Sequence, residues 1–366
     1  MKKIFTLLLV SLLCLSAAAC SEQKKSGVTP KPVDGVALAF DDGTDYYSVA
    51  PSFIVEDETM YAYYTSNATA KKRDSAIVLR KGTLKNGKWE FGKRQVLLTV
   101  SDSGWDAGSV TDADVVKGSF GYEGTTYSYL MAYQGCADKS ERNQQIGFAL
   151  SVSPEGPFVK IPEPVVKYDP AVSGYTWGVG QPSLISEDEA GKIRLYYSVG
   201  EELYTYTMTA ELDCSDCSDI KGVDGAFMMP IEGLVDGVRN ETIFNNAGFA
   251  RKGETLFVVR DYNPVATIEP LVATAVQLAS MPIKDTYSNE GEWTVVDERI
   301  NALDLMGETD LDGWQRVYSS SVIKDFYGNV AGDSPELALT VTSFDESTRE
   351  YRYYQGIIIY SSEYDA

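Results

Sequence analysis

The sequence predicts an all-β fold, a single five-bladed β-propeller, and three observations support this prediction. A short phrase recurs five times along the 366-residue chain, at steps of 62, 69, 65 and 73 residues. Each copy is followed by short apolar or tyrosine-rich segments separated by turn residues, which is the pattern of four-stranded blades. After the N-terminal segment the chain has no convincing amphipathic stretch of helical length. A long, regular repeat indicates one supersecondary unit used several times.

Each copy of the repeated phrase begins with a residue that we call the head. A short segment that often contains proline or serine follows, and then two apolar residues that begin an inner strand. Because the inner strands of a propeller surround its axis, we expect the heads to ring a central pocket. The five heads are Ala50, Asp112, Gln181, Asn246 and Ser319.

The second unit shows the elements of a blade in order. Strands are predicted to begin at residue 115 and to cover residues 129–133, 146–152 and 158–166, with a Pro- and Gly-rich turn before the last. The other second strands are predicted at 61–64, 195–197, 256–259 and 337–341, and the other third strands at 76–79, 203–208, 271–276 and 356–360. Trp89 and Trp293 begin fourth strands, and we interpret them, like the strand tyrosines, as packing residues.

The fifth unit ends after its third strand. Residues 36–40 (Val-Ala-Leu-Ala-Phe) are a candidate for the missing fourth strand. Pairing this segment with the last unit would close the ring and leave no open sheet edge. We therefore predict one propeller domain at residues 36–366, with no second domain.

The N-terminus predicts export and anchoring. Residues 1–19 read as a signal peptide, with two lysines and then an apolar run. Small residues directly before Cys20 resemble a bacterial lipoprotein processing site, which implies cleavage before Cys20 and its lipidation; ordinary cleavage leaving a free Cys20 is the alternative. Residues 20–35 would then be a lipidated cysteine and a flexible tether. The expected location is the bacterial cell envelope, with the membrane reached through the lipid anchor alone.

The composition excludes several kinds of function. The chain has a formal net charge of −21, and so acidic a surface argues against nucleic acid or anionic lipid head groups as partners. It contains no histidine, which excludes Ser-His-Asp and Cys-His catalysis and any histidine-ligated metal. Acid–base chemistry must then use Asp, Glu, Tyr, Lys or Cys. A carboxylate pair is the natural remaining option, and glycoside hydrolysis is the reaction that suits it best.

The cysteines do not predict a metal site. Beyond the N-terminal segment lie Cys136, Cys214 and Cys217, of which the last two could form a short-loop disulfide in an exported protein. A single C-x-x-C pair lacks the further ligands that zinc requires. The aspartates around it lack the spacing of a calcium loop and are interpreted as a solvated loop. No cofactor is predicted, and calcium in the central channel stays open.

The second unit also carries a resemblance to a known family. Asp-Ala-Asp-Val-Val at 112–116 is followed by Met-Ala-Tyr at 131–133, Ile-Gly-Phe-Ala-Leu-Ser at 146–151 and Pro-Glu-Gly-Pro-Phe at 154–158. This order resembles the blade signature of the five-bladed propeller glycosidases, the family 43 glycoside hydrolases and their relatives in families 32, 68, 117 and 130. The resemblance implies a propeller that acts on oligosaccharide or polysaccharide. Residues 245–249 with 258–260 also resemble the family 130 phosphorylases, where an arginine meets phosphate.

The catalytic pattern of family 43 is incompletely kept. That family uses an Asp base, a second Asp that tunes the acid, and a Glu acid, all facing the central cavity. Asp112 is the one head with a carboxylate, and Ala50 stands where the base is expected. We predict Asp112 and Glu241 as catalytic residues, Glu241 being a displaced acid. Three aspartates ahead of the first inner strand could replace the base: Asp41, Asp42 and Asp45.

Further residues are predicted to bind the sugar. Tryptophans that precede inner strands can stack on a sugar ring, amide heads can pair with hydroxyls, and an arginine can hold an anionic group. These residues are Trp105, Trp177, Gln181, Asn246 and Arg260. A surface Arg260–Asp261 pair is an equal alternative for the arginine. Asp114 aligns with serines of other units, which suggests a structural hydrogen bond inside the blade.

Two main functions follow from these residues. The first is a glycoside hydrolase with two carboxylates in the central pocket, and the second is a non-catalytic glycan-binding lipoprotein, suggested by the eroded heads. A glycoside phosphorylase is a weaker third. In each case the partner is a carbohydrate, and the chain is expected to be a monomer.

Overall fold

The computed structural model describes most of the chain after residue 35. The described residues are 36–39, 47–69, 72–139, 142–168, 177–200, 205–234, 244–262, 273, 275–288, 290–301, 305, 314–345 and 350–361. The predicted signal peptide (residues 1–19), Cys20 and the predicted tether lie outside this part, as do Asp41, Asp42, Asp45 and Glu241. In the described part no helix is long and apolar enough to cross a membrane.

The described strands form five antiparallel sheets, so the predicted five-bladed propeller is confirmed. The first strand, β1 (Val36–Leu38), belongs to the last blade. Blade 1 contains β2 (Ser48–Glu56), β3 (Thr59–Thr69), β4 (Lys72–Lys85), β5 (Lys88–Phe91) and β6 (Gln95–Thr99). Blade 2 contains β7 (Ser109–Tyr122), β8 (Thr125–Cys136), β9 (Gln145–Ser151) and β10 (Val159–Lys160).

The other three blades repeat this order. Blade 3 contains β11 (Gly178–Ser186), β12 (Lys192–Gly200), β13 (Thr205–Asp213) and β14 (Phe227–Met228). Blade 4 contains β15 (Gly248–Lys252), β16 (Thr255–Tyr262), β17 (Ala275–Pro282) and β18 (Thr294–Asn301). Blade 5 contains β19 (Trp314–Val322), β20 (Glu336–Asp345) and β21 (Glu350–Ser361), and β1 pairs antiparallel with β21 as its fourth strand. Short 3₁₀ turns cover Val223–Gly225 and Ile283–Tyr287.

The outer strands depart most from the prediction. The fourth strand of blade 2 is limited to β10, shorter than the predicted 158–166, because Pro162 and Pro164 supply no N–H to a ladder. In blade 1, both β5 and β6 pair with β4, one with each half of that long strand. The third strand of blade 4 is described as Ala275–Pro282, and most of the predicted residues ahead of it lie outside the described part.

The core lies between the faces of neighbouring blades. Inner and middle strands are buried on both sides, so they carry continuous apolar runs rather than strict alternation. Between blades 2 and 3, for example, the side chains of Leu130, Phe148, Leu184 and Leu195 are all fully buried in one cluster. The strand tyrosines Tyr63, Tyr133, Tyr196 and Tyr197 are buried too, which confirms their interpretation as packing residues.

One loop closes the channel at the end opposite the heads. We call residues 324–330, which follow β19, the plug. Its carbonyl groups accept backbone hydrogen bonds from the inner strands of the other four blades. The donor N–H groups belong to Val55, Lys117, Ser186 and Arg251, and the acceptors to Lys324, Phe326, Tyr327 and Gly328, at 2.8–3.1 Å. Gly328 is required there, because its φ is +87° and an added Cβ would lie 2.9–3.1 Å from Ile185 atoms.

A buried ion pair sits where the plug meets the channel axis. Lys324 Nζ lies 2.6 Å from Asp114 Oδ2, and the two side chains are 3% and 5% exposed. The ammonium also donates to the carbonyl oxygens of Leu184 (2.8 Å) and Phe249 (3.4 Å). Asp114 in turn accepts hydrogen bonds from Ser52 Oγ (2.6 Å) and from the N–H groups of Leu184 and Val115. These two side chains therefore connect all five blades.

We predict that Lys324→Met lowers the free energy of unfolding by about 3–5 kcal/mol, because it leaves the Asp114 carboxylate buried without its cation. The measurement is urea unfolding of the folded domain. Lys85→Met is the matched control: Lys85 pairs with Glu90 at 2.7 Å, but both side chains are more than half exposed, so a change of about 0–1 kcal/mol is expected. Equal losses in the two variants would contradict the role given to the buried pair.

We also predict that stability falls as the pH rises through the alkaline range. Burial raises the pKa of Tyr197 to about 12, and it raises the pKa of Tyr63 well above its usual value. Above about pH 10 the unfolded chain releases these protons and the folded chain keeps them, so each such tyrosine lowers the unfolding free energy by up to about 1.4 kcal/mol per pH unit. Urea midpoints measured from about pH 9 to 12, with tyrosinate absorbance, check this.

Candidate functional site

The five heads share an unusual backbone conformation. All five have positive φ, between 45° and 53°: Ala50, Asp112, Gln181, Asn246 and Ser319. In four blades the head also lies at a break in the pairing register, for example between Val49 and Ser52. The left-handed region is unfavourable for residues other than Gly, Asn and Asp. Such strain persists where surrounding contacts enforce it, and it is commonly found at binding sites.

The enforcing contact is the same in every blade. Each head N–H donates to a side chain on the second strand of the preceding blade. Asp112 N donates to Thr65 Oγ1 (2.9 Å), Gln181 N to Gln134 Oε1 (2.9 Å) and Ser319 N to Asp261 Oδ1 (2.9 Å). Ala50 N donates to Thr340 Oγ1 (3.2 Å), and Asn246 N to Ser198 Oγ (3.2 Å). The heads thus form a closed ring of contacts between blades, with the expected position around the axis.

The heads surround a narrow channel. Together with the residues that follow them they line a cavity of about 40 Å³, whose floor is the Asp114–Lys324 pair. A space of this size holds water rather than a sugar. Asp114 therefore has a structural role, as its alignment with serines suggested. The hydrogen bond from Val115 N–H stays inside blade 2. The other contacts of Asp114, with Ser52, Leu184 and Lys324, run between blades because its side chain reaches the axis.

A larger pocket opens on the head side of the ring. We call this cavity of about 350 Å³ the front pocket. Its size and its mixture of aromatic, amide and hydroxyl groups are typical of small-molecule sites. Blades 1, 2, 3 and 5 contribute to it, and the lining includes Thr65, Thr111, Asp112, Gln134, Gln144 and Trp177. Among the described residues that line it, Asp112 is the one carboxylate and Lys139 the one cation.

Of the predicted sugar-binding residues, Trp177 lies in the front pocket and Gln181 and Asn246 line the narrow channel. The two amide side chains make hydrogen bonds within the ring of heads. Gln181 Oε1 accepts from Asn246 N (3.0 Å), and Asn246 Nδ2 donates to Asp261 Oδ2 (2.8 Å). Their predicted contact with sugar is not tested by this arrangement.

Arg260 and Asp261 are both buried, so the alternative of a surface pair is wrong. They lie on a middle strand that is covered on both faces. The Arg260 guanidinium donates to Gln277 Oε1 from Nε (3.2 Å) and Nη2 (2.9 Å), and to the Asp261 carbonyl oxygen (3.2 Å). Arg260 is fully buried and is not among the residues that line the front pocket. The predicted role in holding an anionic ligand gains no support from this position.

Trp105 occupies a packed site in blade 2. Its ring stacks on Tyr133 with centroids 5.4 Å apart, and its indole N–H donates to the Pro162 carbonyl oxygen (3.0 Å). Gly135 and Gly147 give it room, since an added Cβ at either would lie 2.9 Å or less from the indole. Burial, together with neighbouring Asp106, raises the pKa of Tyr133 far above its usual value. These contacts are those of a packing residue.

The three cysteines in the described part of the chain form no disulfide. Cys136, Cys214 and Cys217 are buried thiols, so the disulfide that was left open at Cys214–Cys217 is not formed. Cys217 Sγ donates to the Cys214 carbonyl oxygen (3.3 Å), and the contact with Cys217, with burial, raises the pKa of the Cys214 thiol. No group of three or more His, Cys, Asp or Glu side chains that could hold a metal occurs among the described residues.

Sequence reasoning missed Thr65, Thr111, Gln134 and Gln144. Thr111 directly precedes a head, so its position was readable, while Thr65 and Gln134 lie in strands that looked purely structural. Gln144 lies in a loop without any motif. The repeat did contain a usable signal: second strands carry one polar residue at equivalent places (Thr65, Gln134, Ser198, Asp261 and Thr340).

No family model matches the sequence, and no curated protein matches it. The chain does match solved structures. The chain is similar to a β-xylosidase at 13% identity and a TM-score of 0.55, over 92% of this chain and 96% of that one. It is similar to a GH43_1 enzyme from Xanthomonas citri complexed with xylotriose, at 15% identity and 0.54, over 89% of each chain.

A third similar structure is a family 43 β-xylosidase/α-arabinofuranosidase from a compost microbial metagenome, in complex with xylotriose and in a calcium-free form. The identity is 15% and the TM-score 0.54, over 92% of this chain and 96% of that one. At such identities the likeness establishes the fold that this chain shares with family 43 glycoside hydrolases. The predicted resemblance in fold is thereby confirmed, and chemistry has to be argued from the site.

We predict that Thr65→Val destabilises the domain by about 1–3 kcal/mol, because the Asp112 N–H loses its acceptor in a partly buried place. Valine keeps the volume and the β-branch, so the change isolates the hydroxyl. Thr83→Val, at an exposed position on β4, is the control and should change stability by less than about 0.5 kcal/mol. Chemical denaturation of both variants gives the answer, and a silent Thr65→Val would rule out the ring contact as a source of stability.

Proposed function

We propose that this protein binds a neutral oligosaccharide in the front pocket of its propeller. The observation that carries the proposal is the pocket itself, a cavity of about 350 Å³ with Trp177 beside amide and hydroxyl groups. An indole can cover the apolar face of a sugar ring, and amides and hydroxyls can pair with its hydroxyl groups. The similar hydrolase structures in complex with xylotriose support a carbohydrate as the ligand.

Charge favours a neutral sugar over an acidic one. Asp112 and Lys139 offset each other in the lining, and Lys139 is already paired with Asp74 at 3.0 Å. The chain as a whole carries −21 charges, and such a field repels uronic acids and sulfated glycans. We place this binding at the bacterial cell envelope, which rests on the signal-like residues 1–19 and Cys20.

Binding without cleavage is the form of the proposal that the described site supports best. Cleavage by two carboxylates needs a pair about 5–10 Å apart across the scissile bond. Asp114 is neutralised by Lys324, both oxygens of Asp261 accept hydrogen bonds within the ring, and Ala50 stands at the first head. Asp112 is the one carboxylate among the described residues that line the front pocket.

Hydrolysis is the second candidate. It is favoured by the placement of Asp112 in the front pocket and by the fold shared with family 43 hydrolases. It requires a partner carboxylate, for which Glu241 is the candidate from the sequence. Because Glu241 is outside the described residues, the choice between the two functions falls to experiment.

We expect the soluble domain (residues 36–366) to bind one or more neutral trisaccharides, with xylotriose the first probe, and to release no reducing ends. Calorimetric titration measures binding, and a reducing-sugar assay over a panel of xylo-, cello- and arabino-oligosaccharides measures cleavage. Galacturonate oligosaccharides should bind more weakly. Asp112→Asn should weaken binding about tenfold, since a charge-assisted hydrogen bond to a hydroxyl becomes a neutral one.

Asp57→Asn is the matched control for Asp112→Asn. Asp57 is exposed in the turn between β2 and β3 and also has a positive φ, of 55°, so the same substitution is made in the same backbone conformation. It should leave binding unchanged. Sugar release that disappears in Glu241→Gln would establish hydrolysis instead, and a wild-type domain that binds none of the panel would refute the proposal.

A further inference from the structure

One buried side chain of the front pocket, that of Gln144, has an amide oxygen with no partner among the described residues. Gln144 is 2% exposed, and its amide oxygen Oε1 makes no hydrogen bond with any described residue. A buried polar atom without a partner is rare in a folded protein, because it lost its hydrogen bonds to water on folding. Gln144 lines the front pocket, so the space next to it is where a partner can enter.

The backbone holds Gln144 firmly in this place. Its N–H donates to the Trp177 carbonyl oxygen (2.9 Å), and its own carbonyl oxygen accepts from Val179 N (3.0 Å). Gly178, between those two residues, has a φ of +104°, and an added Cβ there would lie 2.5 Å from the Gln144 backbone. These main-chain contacts fix the backbone of Gln144 beside residues 177–179, while its side-chain oxygen makes no hydrogen bond in the described part.

A second buried polar atom of the front pocket also lacks a hydrogen-bond partner among the described residues. Thr111 Oγ1 is buried and has no hydrogen-bond partner among the described residues. Thr111 also lines the front pocket and directly precedes the head Asp112. Two unpartnered polar groups in one roomy cavity point to a ligand with several hydroxyl groups, since water or a hydroxyl can satisfy each of them.

We propose that Gln144 and Thr111 form a hydrogen-bonding subsite that, next to the Trp177 ring, determines which hydroxyl pattern the front pocket accepts. This inference rests on the proposed function and names the residues that would give it specificity. A glutamine amide presents both donors and an acceptor, whichever way it is turned, so it can pair with one hydroxyl or with two adjacent ones. Selectivity follows because an analogue without the hydroxyl leaves the buried amide unpaired.

The first test uses Gln144→Met, which keeps the length of the side chain and removes the amide. Titration calorimetry with the tightest-binding neutral trisaccharide of the panel above should show an affinity about 10- to 100-fold lower than that of the wild type. Gln145→Met, at the adjacent position at the start of β9 and outside the lining of the front pocket, is the matched control and should bind as the wild type does. Thr111→Val should lower the affinity in the same direction.

The second test separates recognition from structure. Deoxy derivatives of the same trisaccharide remove one hydroxyl at a time. For one of them the wild type should lose about as much affinity as Gln144→Met does, and Gln144→Met should lose nothing further. In the absence of sugar, the urea midpoint of Gln144→Met should equal or exceed that of the wild type, because no hydrogen bond of the described structure is removed.

The outcomes distinguish this inference from the function on which it rests. If the wild type binds a trisaccharide and Gln144→Met binds it equally tightly, the subsite is refuted and sugar binding stands. A lower urea midpoint for Gln144→Met without sugar would also refute it, since the amide would then be structural. If the wild type binds no member of the panel, the proposed function fails and the subsite fails with it.

Discussion

The ion pair between Asp114 and Lys324 is the constraint on which the rest of the structure depends. Five blades packed around an axis leave a channel, and charges placed there are costly unless they are paired and hydrogen-bonded. Here a single ammonium, its carboxylate and the hydrogen bonds around them reach all five blades. The plug adds backbone hydrogen bonds to the inner strands of the four blades that precede it. The plug covers this end of the channel, and the front pocket lies on the side of the heads.

The ring of heads connects this scaffold to the site. All five heads lie in the left-handed region, which is unfavourable for Ala50, Gln181 and Ser319, and a side chain from the neighbouring blade holds each head. Asp112 belongs both to the ring of heads and to the lining of the front pocket. Its backbone is held by Thr65, so the position of its carboxylate depends on contacts between blades 1 and 2. Stability of the ring and geometry of the pocket are therefore coupled.

The fold is shared with hydrolases, whereas the described side chains at its centre favour binding over cleavage. The architecture is that of family 43 glycoside hydrolases, yet carboxylates at the described centre serve structure: Asp114 balances Lys324, and Asp261 holds Ser319 and Asn246. What the front pocket offers is an indole, hydroxyls and amides, together with Asp112. Such groups are the ones that the proposed sugar binding would use. A fold that supports catalysis in one protein can serve recognition in another when the reactive residues at its centre differ.

The number of blades, their strand order and the placement of the heads were all readable in the sequence, because strands and turns depend on local patterns that repeat. The packing role of the tyrosines followed for the same reason. The sequence placed Asp112 and Trp177 near the centre, yet it did not reveal that Trp105 packs in blade 2 or that Arg260 is buried. Nor did it indicate Lys324 or Gln144. Lys324 contacts Asp114, which lies 210 positions away in the sequence. Gln144 is placed in the front pocket by a β-bridge to Gly178 of the neighbouring blade. Contacts of this kind are set by the closure of the ring, so the tertiary structure alone decides which polar side chains are satisfied and which are left for a ligand.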